Sequence, residues 1–81
     1  MMICGKLTTH REGNEGFTVL TNGEAAVYLD PVDQSALIDL ARAPFGLPAC
    51  AEGVLQCVNG TTLVLEFRRL TGCRMRTGDA A

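Results

Sequence analysis

The run Arg68-Arg69-Leu70-Thr71-Gly72-Cys73-Arg74-Met75-Arg76 holds four guanidinium groups and no acid. Arginine's planar fork suits bidentate recognition of phosphate or carboxylate. Arg68, Arg69, Arg74 and Arg76 are therefore the first candidate binding residues. Read as a hairpin turning at Thr71-Gly72, the run sets Arg69 opposite Arg74 and Phe67 opposite Arg76. Like charges directly opposed destabilise a sheet, and an external anion or carboxylate would relieve them. Charges on an edge strand also block edge-to-edge aggregation, and this plainer role competes with binding. Glu12 and Glu15, in the polar Gly-containing stretch His10 to Gly16, form the acidic counterpart.

Catalytic chemistry finds little to build on. His10 is the one histidine, and it stands in a polar loop beside Arg11 and Glu12. A Cys-His nucleophile would need a thiol within hydrogen-bond reach of it, and no spacing in the chain promotes that. Gly13 and Gly16 precede a strand and not a helix, so they cannot form a helix N-terminal phosphate cradle. Asp30 and Asp33 are paired carboxylates at a helix start, where capping and dipole compensation account for them. The expectation is no catalytic residue, no cofactor and a protein that is not an enzyme.

The four cysteines are Cys4, Cys50, Cys57 and Cys73. Their nearest pair, Cys50 and Cys57, has six residues between them, wider than the two to four typical of structural zinc ligands. With no signal-peptide pattern and no membrane-length apolar run, the chain reads as cytoplasmic, without a membrane partner. Thiols stay reduced in that compartment. Buried or half-buried thiols are the first reading, with a disulfide or a metal site behind it.

Several short elements must position these groups. With 81 residues the chain is expected to form one domain, 1–81, with a frayed tail at 78–81. Ile3 to Thr9 alternates as a strand. Phe17 to Thr21, Asn22-Gly23 and the residues up to Tyr28 read as a tight hairpin, with Thr21 opposite Glu24 and with Phe17, Val19, Ala26 and Tyr28 on one face. Asp30 caps a helix that ends before Pro44 and carries a stripe of Val32, Ala36, Leu37, Leu40 and Ala41. Pro44 to Gly53 is a connector with a short helical turn near Pro48 to Glu52. Val54 to Val58, Asn59-Gly60 and Thr61 to Leu70 form a second tight hairpin, which puts Leu55 opposite Val64 and leaves both faces half apolar. Cys73 to Thr77 is a sixth strand. The fold class is α+β: a mostly antiparallel sheet, βββ-α-βββ, with one amphipathic helix packed on a face. The two Asn-Gly segments read as one turn type used twice, not as a duplication.

Charge is segregated. Residues 1–67 carry three Lys/Arg against eight Asp/Glu, whereas 68–81 carry four Arg against one Asp. Small size, separated charge and the lack of a catalytic constellation point to a protein-interaction module: an adaptor, inhibitor or regulatory subunit of a larger partner. In these respects the chain is similar to many small phage- or mobile-element-encoded proteins that modulate a host protein. The alternatives are an anion- or nucleic-acid-binding module using the arginine cluster, with nucleic acid disfavoured by the acidic body, and a small thiol or metal protein. An apolar sheet face that one helix cannot cover adds the expectation of a homodimer.

Overall fold

A computed structural model describes residues 1–23, 25–43 and 45–72. Arg74, Arg76, the expected sixth strand at 73–77, the tail at 78–81, Cys73, Glu24 and Pro44 lie outside the described residues. Five strands and one helix follow in the order β1 (Met2–Glu12), β2 (Glu15–Asn22), β3 (Ala25–Pro31), α1 (Gln34–Arg42), β4 (Pro48–Val58) and β5 (Thr62–Gly72). The α+β composition and the dominance of sheet are as expected. The open sheet is not, because the strands close into a barrel in the order β1-β2-β3-β5-β4. All pairs are antiparallel except β3–β5, which runs parallel. A parallel pair needs a crossover between its strands, and here α1 and β4 provide it.

Closure explains how so small a chain buries a core. Leu7, Leu20, Val27, Leu29, Leu65, Phe67 and Leu70 fill the barrel, with Ala36, Ala49 and Ala51 in the narrow places. The helix begins later than expected. Asp33, not Asp30, is its N-cap, and its Oδ1 accepts from the Ala36 N–H at 2.9 Å. Asp30 stays in β3, paired with Glu66. Only Ala36 of the helix is fully buried, with Leu40 and Ala43 packed beside it, while Val32, Leu37 and Ile38 are exposed. The expected stripe is thus narrower, because the helix touches the barrel along one line beside β3 and β5.

Two local readings change. The segment at Pro48–Glu52 is the start of β4, drawn into the sheet by pairing with both β1 and β5. The connector before it is latched to β1 by bonds from Leu7 N–H to Leu47 C=O and from Gly46 N–H to Leu7 C=O. His10 to Gly16 is mostly strand, since β1 and β2 run on to a turn at Gly13-Asn14, Gly13 having φ 63°.

Both later hairpins shift register. At the first, Thr21 pairs Ala26 and Asn22 pairs Ala25. A shift of two residues keeps every side chain on its face, so Phe17, Val19, Ala26 and Tyr28 still share one. At the second, Asn59 and Gly60 both have positive φ, at 55° and 76°, but Thr61 joins the loop and Val58 pairs Thr62. This one-residue slip changes which side chains share a face. Leu55 now pairs Leu65 and packs against the core, while Val54 pairs Glu66 outside. The outer face of this hairpin alternates Val54, Val58 and Val64 with Gln56, Thr62 and Glu66, so it stays half apolar, with Val54 and Val58 exposed.

Candidate binding surface

The arginine segment is organised by a β-bulge. Gly53 pairs Phe67 and Glu52 pairs Arg69, leaving Arg68 as the additional residue on β5. A bulge of this kind re-aims side chains. Phe67 and Leu70 both enter the core, and the consecutive Arg68 and Arg69 both stay outside. Both reach Glu52: Arg68 Nη2 lies 3.2 Å from Oε2, and Arg69 Nη1 lies 3.9 Å from Oε1. Thr71-Gly72 is not a turn but continues β5 opposite Cys50 and Ala49. Arg69 stands opposite an internal acid, Glu52. Glu52 was missed because it sits far away in sequence. The in-out-out-in pattern of Phe67-Arg68-Arg69-Leu70 was the available signal for the bulge.

The Glu52 carboxyl is held below the usual glutamate range, first by the hydrogen bond from Arg68 and then by its charge. Arg69 and the Met1 ammonium add to this, against partial desolvation. With the folded pKa below the unfolded one, the pair stabilises the fold above the ordinary value of 4.5. That contribution is lost as pH falls through the depressed folded value. A Glu52→Gln variant should therefore lose less stability than wild type between neutral and acid pH in urea titrations. Equal losses would show that the pair contributes nothing.

A second constellation lies on the outer side of β1, β2 and β3. The register places His10 opposite Phe17 and Glu12 opposite Glu15, with Thr8, Val19 and Tyr28 in the next outward row. Tyr28 packs edge-on against Phe17, with ring centroids 5.5 Å apart, and against His10 at 6.0 Å. Glu12 joins the rings, since its Oε2 accepts from His10 Nε2 at 3.2 Å and from the Tyr28 hydroxyl at 3.4 Å. Desolvation raises the Tyr28 pKa above its usual 10.0, and the neighbouring Glu12 charge and hydrogen bond push the same way. Val19, only 3% exposed, lies beneath this group although it faces away from the barrel core. Glu12 and Glu15 are opposed like charges on an exposed hairpin, which disfavours the bare sheet.

The structure thus brings Glu12 and Glu15 together beside an aromatic platform, and it separates them from Arg68 and Arg69. Cys4 and Cys50, directly opposite each other on β1 and β4, form a disulfide. This corrects the reading of both as reduced thiols, because the barrel closure that pairs their strands is not visible in the spacing. Cys57 is a free, exposed cysteine on β4. Among the described residues no three His, Cys, Asp or Glu side chains converge on a metal position. No helix among them is long and apolar enough to cross a membrane. No protein-family model and no curated protein matches the sequence.

Proposed function

We propose that the protein is a non-enzymatic interaction module that holds a cationic segment of a protein partner on the outer face of β1–β2–β3. The opposition of Glu12 and Glu15 next to the rings of His10, Phe17 and Tyr28 carries this reading. A lysine or arginine laid there would relieve the carboxylate repulsion and find aromatic faces for cation–π contact. The five-stranded Greek-key barrel resembles OB-type architecture, in which the β2–β3 face and adjoining loops take ligands, oligonucleotides among them. Fold alone does not choose the ligand. The ring platform favours single-stranded nucleic acid as the second reading, since bases stack on such rings. Two carboxylates at the same place oppose a phosphate backbone, and Arg68 and Arg69 are occupied by Glu52.

The cytoplasmic expectation rested on the lack of a signal-peptide pattern and of a membrane-length apolar run, and reduced thiols were expected to follow from it. A disulfide on the barrel surface suits an oxidising compartment instead.

The test compares wild type with Glu15→Lys and Tyr28→Ala in affinity capture from native lysate, followed by NMR titration with Lys/Arg-rich peptides and with oligothymidine. Glu15→Lys removes the like-charge opposition, so it should leave the fold intact or slightly stabilise it. Both variants should weaken peptide binding about tenfold or more, as central interface residues do. Peptide binding unchanged in both would sink the proposal. Oligothymidine binding that falls steeply with salt would transfer the face to nucleic acid.

A further inference from the structure

The outer edge of β4 carries a second recognition element. Residues Val54–Val58 pair with β5 on one side, and among the described residues no strand pairs with them on the other. The β1–β4 ladder covers Pro48–Glu52 and closes where the Met1 amine donates to Gly53 C=O at 3.1 Å and Gly53 N–H donates to Met1 C=O at 2.9 Å. Backbone groups alternate in direction along a strand. With Gly53 turned toward β1, Leu55 and Cys57 aim their N–H and C=O groups at the open edge. Natural edges are usually blunted by lysine, proline or a bulge. The sequence Val54-Leu55-Gln56-Cys57-Val58 has none of these, and Val54 is 63% exposed.

We propose that this edge pairs antiparallel with the same edge of a second copy, about a two-fold axis at Gln56. One register satisfies all four open groups: Leu55 of one copy opposite Cys57 of the other, and the reverse. A register centred on Leu55 sets Cys57 opposite Gly53, which is already bonded to Met1, and one centred on Cys57 sets Leu55 opposite Asn59 in the turn, so each uses only one of the two residues. In the satisfying register Val54 meets Val58 of the second copy, and the two Gln56 amides meet each other. Apolar faces apolar, amide faces amide, and neither strand brings a charge, so the edge is complementary to itself. A charged strand from another protein would find no counter-charge along it. A groove of about 250 Å³ lies at the Gly53 end, rimmed by Met1, Val32 and Val54 with Arg68, Glu52 and Glu66. Val58 of the second copy arrives beside that apolar rim. This pairing is isologous, the arrangement of most soluble homodimers. It uses a strand edge, and not the sheet face that the sequence suggested, and it is independent of the β1–β3 face.

Gln56 is exposed, so its charge variants test the pairing without touching the core. Sedimentation velocity from micromolar to submillimolar concentration, with reductant too mild to open Cys4–Cys50 but sufficient to keep Cys57 reduced, should show a wild-type dimer. Gln56→Glu and Gln56→Lys should each be monomeric, because each sets like charges directly opposite, with thermal midpoints equal to that of wild type at concentrations where wild type is itself monomeric. An equimolar mixture of the two should dimerise again. A wild type that stays monomeric throughout overturns the proposal. So does a dimer that both charges leave intact, or a mixture that fails to associate.

Discussion

Gly53→Ala should unfold the domain or leave it barely folded. A Cβ at this position would stand 2.0 Å from the Glu66 carbonyl oxygen and 2.6 Å from the Phe67 Cα. Both obstacles are backbone, in the strand that carries the core residues Leu65 and Phe67, so neither can rotate away. Relief requires moving β4 from β5 at the bulge, which also pulls Glu52 from Arg68 and Arg69. Overpacking in a core commonly costs 1–3 kcal/mol, and backbone overlap places this substitution at or above about 3 kcal/mol. A domain of 81 residues has roughly 4–12 kcal/mol in total. Gly16→Ala is the control, since its nearest neighbour would be 3.8 Å away, and it should move the urea midpoint little. A Gly53→Ala midpoint equal to that of Gly16→Ala would mean that β4 and β5 do not approach as described.

Opening the Cys4–Cys50 bridge should cost about 2–4 kcal/mol. The bridge joins residues separated by 46 positions. Cross-linking a loop of that size removes denatured-state entropy worth about 4 kcal/mol in the chain-entropy model, and measured values usually fall below such figures. The bridge also ties β1 to β4, the pair that completes the barrel. The double variant Cys4→Ala/Cys50→Ala should show a lower urea midpoint than wild type, matching that of fully reduced wild type. Cys57→Ala should behave as wild type, because that thiol is exposed and outside the bridge. Coincident unfolding curves for oxidised and reduced protein would overturn this prediction.

Local chemistry was legible in the chain. Asn-Gly announced turns because those residues accept positive φ, and Asn59 and Gly60 adopt it. Period-two alternation put Phe17, Val19, Ala26 and Tyr28 on one face, and the rings of Phe17 and Tyr28 do meet there. The helix type and its end near Ala43 followed from the spacing of Ala36 and Leu40 and from the proline that follows. Glu12 and Glu15 could be named as a candidate pair, though not placed opposite each other beside an aromatic platform.

What tertiary structure decided are the long-range pairings, which carry no local mark. Asp30 and Asp33 are both good caps by residue type. Asp33 took the role because β3 holds Asp30 in its parallel ladder with Glu66. Thr61 entered the second turn because that slip sends Leu55 inward against Leu65, and core burial outweighs the tighter loop. Pro48–Glu52 became strand because closing the barrel gave its backbone partners on both sides. Glu52 met Arg68 and Arg69, and Cys4 met Cys50, across separations that only the closed strand order brings together. A turn depends on the φ preferences of two or three residues and can be read where it stands. Barrel closure depends on the whole set of side chains that must fit one interior, and no single segment records it.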